Sequence, residues 1–501
     1  MKPLRLSDIA RMTGGRLQGD DRVVSALVTD TRGLAHADNA LFVALAGERF
    51  DGHDHVAALV QGVSARTGDG GAGTPGAASS CRAPIAAALV ARAIDVALPQ
   101  IIVADTQRAL ADLATVLQRA RSTQVIAITG SNGKTSVKAL LMAILRQTAD
   151  ASAYANPGNR NNEIGLPLAV IDAPDDARYA VYEMGAGKPG DIAYLAAIAR
   201  PDVALVNNIA PAHLERMGSL LGVAETKAAV YDALVPEGVA VINADDAFAP
   251  WFEQRLLLAQ HAHGRRLIRF GLDASADVTA RAVQAHDAGS TFQLVTRAGE
   301  IAITLAMPGR HNVRNALAAA SVALGLGLAL DQIGGGLNAA QPVDGRLVTH
   351  RLSSGAVLID DSYNANPGST AAAIETLAVM EGNNTGAQSW LVLGDMRELG
   401  DDGAAMHAEA GRRAKSAGIG RLYTLGALSA AAAEAFGDGA RHFDSHAALV
   451  TALRPDLRDG VRVLVKGSRG SAMDRIVSAL LPAAAPVDAP PTGQQGDTDA
   501  A

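Results

Sequence analysis

Short apolar runs alternate with helical patterns through the middle of the chain, from Thr106 to about residue 335. Four of these runs, at residues 124–129, 179–184, 202–206 and 238–243, predict buried strands. Strands that alternate with helices are typical of a mostly parallel sheet whose connections cross over it as helices. The central part of the chain is therefore predicted to be an α/β domain.

The pattern changes towards residue 291 and then returns. Two strand-like runs on either side of residues 297–299 predict a hairpin, and residues 312–328 predict a buried, Ala-rich helix. The last third repeats the strand and helix alternation, which predicts a second doubly wound domain. Its predicted strands lie at residues 356–359, 390–393, 421–425 and 461–465.

The first hundred residues hold shorter strand-like runs, such as 40–45 and 100–104, and predict a small α/β domain. A chain of 501 residues also exceeds the size at which one core keeps growing. We predict three domains, at residues 1–104, 105–335 and 336–481. A Gly/Ser/Pro-rich segment at 68–80 is predicted to be a flexible insertion, and residues 482–501 a disordered tail.

Composition and charge exclude several classes of function. A hydrophobic content of 49% with 19% charged residues is that of a globular protein, and a net charge of −7 gives no basic field for nucleic acid or anionic lipid. The single cysteine, Cys81, excludes an intrachain disulfide and fits a reducing compartment. Because the chain also lacks an apolar N-terminal signal and a membrane-length apolar run, we expect a cytoplasmic protein without a membrane span.

A glycine-rich turn between the strand at 124–129 and the helical pattern at 137–145 is the clearest chemical signal. It consists of Gly130, Ser131, Asn132, Gly133, Lys134, Thr135 and Ser136. In such a turn backbone N–H groups surround phosphate oxygens, the lysine supplies a cation, and the Thr hydroxyl can ligate Mg²⁺. The loop is shorter than the general P-loop pattern, which would place its first glycine at Ile128. A chance combination of Gly and Lys at a turn is the alternative.

Candidates for a metal site follow the predicted strands. Glu183 closes an apolar run, which is a poor place for a carboxylate unless a cation is paired with it; a strand-terminal Glu that faces water is the alternative. His213 follows the strand at 202–206, and its imidazole could bind a metal or be an ordinary surface group. Lys227, considered alone, is predicted to be a solvated lysine on a helix.

Seven segments together resemble the motifs of the Mur ligases, in the order and spacing of that family. They are residues 129–136, 156–165, 212–219, 308–312, 360–367, 394–400 and 466–469. The resemblance extends from about Thr29 to Leu481. It also accounts for the short phosphate loop, because this superfamily, with the folylpolyglutamate synthetases, uses that form. The segment at 68–80 departs from the family, which is shorter there.

The resemblance implies a UDP-binding N-terminal domain, a central ATPase domain of P-loop type and a C-terminal Rossmann-like ligase domain. It implies an ATP-dependent ligase that adds D-alanyl-D-alanine to UDP-N-acetylmuramoyl-tripeptide through an acyl phosphate. This reaction completes the pentapeptide precursor of peptidoglycan. The partners would be these small molecules, and monomers are usual in the family.

The family's motifs also imply roles for single residues. Lys134 would contact the β and γ phosphates of ATP, and Thr135 the first of two Mg²⁺ ions. Glu183 and His213 would hold magnesium near the acceptor carboxylate. Lys227 matches a lysine that the family carbamylates with CO₂, which turns a cation into an oxygen ligand beside the magnesium.

Further residues match the family's contacts to nucleotide and substrate. Asn312 would contact adenine, Arg346 the γ-phosphate and Asp361 the ribose, and the last two imply that the C-terminal domain closes before reaction. The predicted substrate contacts are Thr31 and Arg32 for uridine, Asn159, Asn161 and Asn162 for the muramoyl peptide, and Lys466.

Two alternatives stay open. One is another ligase of the superfamily, either a diaminopimelate- or lysine-adding enzyme or a folylpolyglutamate synthetase. The segment at 361–367 disfavours it, because the diaminopimelate- and lysine-adding enzymes have a histidine-containing segment there. The other is a non-catalytic nucleotide-binding module, which would have no need to keep Lys134, Glu183 and Lys227. The third residue of the tripeptide, diaminopimelate or lysine, cannot be read from the sequence.

Overall fold

The fold is described from a computed structural model of the chain. It covers residues 1–30, 39–47, 50–59, 85–148, 152–211, 214–258, 264–286, 288–382 and 388–482. Thr31, Arg32 and His213 lie outside these ranges, as do the predicted insertion at 68–80 and all but the first residue of the predicted tail. Those predictions therefore stay predictions.

The chain divides into two compact units. The first comprises Met1–Val343, Asn366–Asn383 and Arg397–Gly403, and the second comprises Asp344–Ala365, Asn384–Met396 and Ala404–Ala501. Within the first unit, one hydrophobic core joins side chains of the N-terminal sheet to one face of the central sheet. The division into three domains at residues 104 and 335 stays a prediction.

The central sheet of the first unit has six parallel strands, and it confirms the predicted α/β fold. In spatial order they are Ala153–Ala155, Tyr179–Glu183, Gln124–Thr129, Val203–Val206, Val239–Asn243 and Arg266–Phe270. The four predicted strands form its middle and are buried on both faces, which explains their almost unbroken apolar sequences. The two edge strands, one short and one partly exposed, were not predicted.

Helices cover both faces of this sheet because successive strand residues point to opposite sides. Val125 and Ala127 belong to one core, whereas Ile126 and Ile128 belong to the other. The helices on the first side are Thr106–Arg119, Gly165–Asp172, Asp191–Ala199, Leu220–Asp232 and Ala249–Leu258. Those on the second side are Lys134–Leu145, Arg310–Gly325 and Leu330–Ala339. The predicted helix at 312–328 is thus confirmed, although it begins and ends slightly earlier.

The predicted hairpin is part of a larger antiparallel sheet. Gly289–Thr296 and Gly299–Leu305 pair as expected, and Thr279–His286 adds a third strand. That strand was missed because none of its residues is fully buried and because a bulge between Arg281 and Gln284 interrupts its alternation.

The N-terminal sheet has five strands and contains both predicted runs in shorter form. Their spatial order is Arg16–Gln18, Gln100–Ile102, Ile85–Val90, Ala40–Val43 and Ala26–Val28. All neighbours are parallel except the first pair. A helix at Leu6–Met12 and two-residue strand pairs complete this part of the described chain.

The second unit contains another six-stranded sheet, parallel except for its first edge strand. In order its strands are Val348–Arg351, Val357–Asp361, Val461–Lys466, Gln388–Gly394, Arg421–Leu425 and Ala440–Phe443. The four predicted strands are confirmed. Its helices are Gly403–Ser416, Ala430–Phe436, His446–Leu453 and Asp474–Leu480, whereas helix Pro367–Gly382 belongs to the first unit. Within the described ranges, none of the helices is long and apolar enough to cross a membrane.

Candidate active site

The glycine-rich turn connects strand Gln124–Thr129 to helix Lys134–Leu145, as predicted. Gly130 and Gly133 have φ angles of 148° and 80°. Residues other than glycine rarely adopt such positive φ angles. A Cβ atom at Gly133 would lie 2.5 Å from the Asn207 amide nitrogen and closer still to the Asn315 amide oxygen. Position 133 therefore requires glycine for both its backbone conformation and its space.

The lysine of the turn lies over the turn itself. The Lys134 Nζ donates a hydrogen bond to the Gly130 carbonyl oxygen at 2.7 Å and approaches that of Ser131 at 3.4 Å. The helix that begins here presents the N–H groups of its first turn, which have no acceptors within the helix. A cation and a helix N-terminus together favour an anion such as a phosphate group.

Two asparagines that follow the neighbouring strand, Val203–Val206, support the turn, and neither was predicted from the sequence. Asn208 binds the Asn132 backbone twice: its Oδ1 accepts from the Asn132 N–H at 2.8 Å, and its Nδ2 donates to the Asn132 carbonyl at 3.1 Å. Asn207 donates to the same carbonyl at 2.9 Å, and the Asn208 carbonyl accepts from the Ser131 N–H at 2.9 Å. The only sequence signal was an Asn pair at the carboxyl end of strand Val203–Val206.

A chain of buried asparagines continues from the turn to the predicted adenine contact. The Asn207 Nδ2 donates to the Asn315 Oδ1 at 3.0 Å, and the Asn315 Nδ2 donates to the Asn312 Oδ1 at 3.1 Å. Asn312 in turn donates to the Pro308 carbonyl at 2.8 Å. The structure therefore links the residue predicted to read adenine with the loop predicted to hold the phosphates.

The Glu183 carboxylate ends strand Tyr179–Glu183 and is 4% exposed. Its Oε1 accepts from the Thr135 hydroxyl and from the Asn161 amide, each at 3.2 Å. Its Oε2 lies 3.1 Å from the Nζ of Lys138. The carboxylate does not face water, and the cation that its position required is present. That cation is a lysine the sequence reasoning did not select.

The donor atoms around Glu183 fit a magnesium ion. A carboxylate oxygen and a threonine hydroxyl are hard oxygen ligands, and they lie next to the predicted phosphate position. Protein Mg²⁺ sites beside phosphates commonly use only one or two protein groups, with phosphate oxygens and water completing the octahedron. Among the described residues, no group of three or more His, Cys, Asp or Glu side chains is placed to hold a metal ion. The predicted ligand His213 lies outside the described residues.

Lys227 corrects one prediction made from the sequence alone. It lies on helix Leu220–Asp232 but is only 3% exposed, so it is not a solvated lysine. Burial, with a smaller contribution from the charge of Lys134, lowers the pKa of Lys227 to about 7. A large fraction of this amine is therefore neutral near pH 7, and a neutral amine is nucleophilic.

The loop at 156–165 is fixed to the same strand end. The Asn156 side chain donates to the Glu183 carbonyl at 3.0 Å and accepts from the Glu183 N–H at 2.9 Å. Asn162 accepts from the N–H of Gly165 at 2.8 Å, where the next helix begins. Asn159 and Asn162 are exposed and Asn161 is half-buried, so their predicted contact with a peptide is sterically open.

In the second unit, three predicted residues lie in or beside the segment at 360–365. The Lys466 Nζ lies 2.6 Å from the Asp361 Oδ2 and donates to the Asn364 carbonyl at 3.0 Å. Burial raises the pKa of Asp361, an effect that the charge of Lys466 partly opposes. The Arg346 guanidinium stacks on the ring of Tyr363, with its Cζ 4.5 Å from the ring centroid. Lys466, 2% exposed, thus contacts this segment, and its predicted substrate contact stays a prediction.

A short glycine loop at a strand end, a helix that begins within it and a carboxylate beside a threonine hydroxyl define a nucleotide-binding α/β protein of the P-loop type. The chain belongs to the Mur ligase family. The family described as "Mur ligase middle domain" matches residues 128–323, and that described as "Mur ligase, glutamate ligase domain" matches residues 345–469.

Relatives match almost the whole chain. The UDP-N-acetylmuramoyl-tripeptide--D-alanyl-D-alanine ligase of Escherichia coli (strain K12) is 40% identical over 96% of this chain and 99% of its own length. The enzyme of the same name from Bacillus subtilis (strain 168) is 33% identical over 95% and 98%.

Solved structures give the same result. MurF from Acinetobacter baumannii has a TM-score of 0.84 at 31% identity, covering 96% of this chain and 99% of its own. MurF ligase from Thermotoga maritima, solved in complex with ADP, has a TM-score of 0.76 at 25% identity, with coverages of 91% and 97%.

Proposed function

We propose that this chain is an ATP-dependent ligase that adds D-alanyl-D-alanine to UDP-N-acetylmuramoyl-tripeptide. The observation that carries the proposal is the similarity to ligases of that name along nearly the full length of both chains. The glycine turn, Lys134 and the buried Glu183 agree with it, because they form a site for a nucleotide triphosphate and its metal ion. The product would be the pentapeptide precursor of peptidoglycan.

Joining a carboxylate to an amine is uphill in water and must be coupled to ATP. In the proposed reaction the terminal carboxylate of the tripeptide attacks the γ-phosphorus of ATP, which gives an acyl phosphate and ADP. The amine of D-alanyl-D-alanine then attacks the acyl carbon. Phosphate leaves, the amine loses a proton, and the new amide bond remains.

The phosphate loop would bind and orient the triphosphate for this step. We infer that Lys134 exchanges the Gly130 carbonyl for the β and γ phosphates when ATP binds. Because the N–H groups of Ser131 and Asn132 already have protein acceptors, the N–H groups from Gly133 onward are the better candidates for phosphate contact. Asn132 would then support the loop through its backbone rather than bind phosphate through its N–H.

Thr135 and Glu183 would hold a magnesium ion, and His213 is proposed to contribute a further ligand. Bound there, Mg²⁺ neutralises charge on the phosphates and on the incoming carboxylate. We also propose that Lys227 is carbamylated. Its neutral amine would attack CO₂, a C–N bond would form, and the nitrogen would lose a proton to give an anionic carbamate. The burial of Lys227 and its pKa of about 7 support this chemistry.

Other predicted roles are retained as proposals. Asn312 would contact adenine, Arg346 the γ-phosphate and Asp361 the ribose. Thr31, Arg32 and Lys466 would contact the UDP-linked substrate, in a chain of three domains at 1–104, 105–335 and 336–481. We propose a cytoplasmic protein, because the reaction consumes ATP and nucleotide-linked precursors, and a monomer, because monomers are usual in the family.

The proposed function is tested by phosphate release and by the mass of the UDP product. With ATP, Mg²⁺ and UDP-N-acetylmuramoyl-tripeptide, the protein should release phosphate only when D-alanyl-D-alanine is added. A panel of free amino acids, including diaminopimelate, lysine and glutamate, serves as the control for other ligases of the superfamily. Turnover with one of these amino acids and none with the dipeptide would overturn the proposal.

A further inference from the structure

Helix Lys134–Leu145 carries a second lysine, Lys138, one turn after the lysine of the phosphate loop. Lys138 is 8% exposed, whereas lysine side chains are almost never buried unless they are paired. None of the site roles assigned so far uses it. The cost of burying an ammonium group implies that its contacts are specific.

The Lys138 ammonium joins two parts of the site. Its Nζ lies 3.1 Å from the Glu183 Oε2, and it donates to the carbonyl oxygens of Asn156 at 3.0 Å and Gly158 at 3.4 Å. Two carbonyl oxygens thus accept hydrogen bonds from the ammonium group, and a carboxylate oxygen lies beside it as its ion-pair partner. The carboxylate oxygen belongs to the predicted metal ligand, and the two carbonyl oxygens belong to the loop that carries the predicted peptide contacts.

The two oxygens of Glu183 have different partners as a result. Lys138 holds Oε2, while Oε1 faces the Thr135 hydroxyl and the Asn161 amide. Lys138 thereby turns one carboxylate oxygen towards the phosphate loop. Asn161, on the loop at 156–165, contacts that same oxygen, so the loop and the carboxylate are fixed to each other at two points.

We propose that Lys138 is a positioning residue that couples the peptide-binding loop to the Glu183 carboxylate. This inference rests on the proposed function. It requires that removal of Lys138 weakens binding of the UDP-linked tripeptide and raises the Mg²⁺ concentration needed for activity. Binding of nucleotide in the absence of metal should be unaffected, because the hydrogen bonds of the Lys138 ammonium go to the Asn156 and Gly158 carbonyls.

The test uses Lys138→Met, which keeps the length of the side chain and removes its charge. Calorimetry on the full-length protein without metal or nucleotide should show UDP-N-acetylmuramoyl-tripeptide binding weakened by about tenfold, the effect of losing a hydrogen bond to a charged group. In turnover assays at saturating Mg²⁺, the KM for the tripeptide should rise while the KM for ATP stays near the wild-type value. Arg146→Met, at an exposed position directly after the same helix, is the matched control and should change neither quantity.

The single variant leaves the Glu183 carboxylate buried without Lys138 and could fail to fold. The double variant Lys138→Met with Glu183→Gln removes both charges and is compared with Glu183→Gln alone, in which Lys138 keeps both loop carbonyls. Weaker tripeptide binding in the double variant than in Glu183→Gln supports the proposal. Wild-type tripeptide affinity in Lys138→Met, or equal affinity in the two Glu183→Gln proteins, overturns it. If the wild-type protein itself neither binds nor converts the tripeptide, it is the proposed function that fails.

Discussion

Glycine at position 133 leaves room for two asparagine side chains behind the phosphate loop. The missing Cβ atom is the space in which the Asn207 and Asn315 amides meet and share a hydrogen bond at 3.0 Å. The left-handed φ of 80° is a second requirement, because side chains rarely adopt it. The same residue therefore serves the loop conformation and the packing beneath the loop.

We expect Gly133→Ala to abolish measurable ATP binding and to lower the melting temperature. The added methyl group must displace at least one of the two amides, and either displacement distorts the loop. Isothermal titration with ATP and thermal denaturation measure the two effects. Gly335→Ala is the control, since its Cβ would meet only the end of Gln147 at 3.5 Å and lies on helix Leu330–Ala339. The free energy of unfolding of Gly335→Ala is expected to rise by about 1 kcal/mol or less. Equal ATP affinities in Gly133→Ala and Gly335→Ala would contradict the argument.

Lys227 gives a pH-dependent prediction. Its pKa is about 7, so the amine is increasingly neutral as the pH rises through that value and increasingly charged as the pH falls. Since only the neutral amine reacts with CO₂, the carbamate signal in ¹³C NMR with labelled bicarbonate should be strong near pH 8 and decline below about 7.

Lys227→Ala should lose the signal and about 10- to 100-fold in activity, the range for groups that support a metal site. Partial recovery with small carboxylates would be consistent with a missing oxygen ligand. A wild-type signal that does not change between pH 6 and 8 would count against the assignment.

At the scale of elements, the residues that follow strand Val203–Val206 supply hydrogen bonds to the backbone of the short phosphate loop. Asn208 pairs its amide with both backbone groups of Asn132, much as a neighbouring strand would. Asn208→Ala removes both bonds and leaves a backbone N–H and a carbonyl without these partners. We expect about tenfold weaker ATP binding from the loss of loop order.

The control for Asn208 is Asn338→Ala. Asn338 also binds a backbone group, the N–H of Thr304 at 2.6 Å, but it lies on helix Leu330–Ala339, away from the loop. That variant should lower stability without changing ATP affinity. Equal ATP affinities in the two variants would show that the Asn208 amide does not order the loop.

Burial explains which elements were predictable. Strands Tyr179–Glu183 and Val203–Val206 are covered on both faces, so almost every residue is apolar and the run is conspicuous. Strands Val348–Arg351 and Ala440–Phe443 lie at the edges of the second sheet, are partly exposed and have only four residues. Each pairs with a neighbour on one side only, so its sequence lacks the continuous apolar run that marks a buried strand.

The same distinction applies to the site. Gly130, Lys134 and Thr135 are adjacent in sequence, so their spacing alone indicated a phosphate loop. Lys138 and Asn208 act through hydrogen bonds to residues 18 or more positions away, and neither residue type is unusual where it stands. Burial of Lys227 could not be predicted either, because its helix has no clear apolar face in sequence.

At the scale of the whole molecule, the second unit has its own hydrophobic core, and Lys466 is buried beside it. Its ion pair with Asp361 joins two neighbouring strands of that unit, Val357–Asp361 and Val461–Lys466. Removing one member of a buried pair leaves an uncompensated charge and costs about 3–5 kcal/mol. Lys466→Met should therefore increase amide hydrogen exchange in the strands of the second unit, while strand Gln124–Thr129 of the first unit stays protected.

The pH dependence of the stability lost in Lys466→Met identifies the cause of that loss. Burial raises the pKa of Asp361, and loss of the Lys466 charge should raise it further. A carboxyl group whose pKa is higher in the folded than in the unfolded state binds protons preferentially when folded, so its contribution to stability falls as the pH rises. The loss of unfolding free energy in Lys466→Met should consequently be smaller near pH 5 than near pH 8. Denaturant unfolding monitored by hydrogen exchange measures it. Adding Asp361→Asn should restore most of the lost stability at the higher pH, because no buried charge then remains. A deficit independent of pH, and unchanged by Asp361→Asn, would mean that Lys466 stabilises the unit through packing alone.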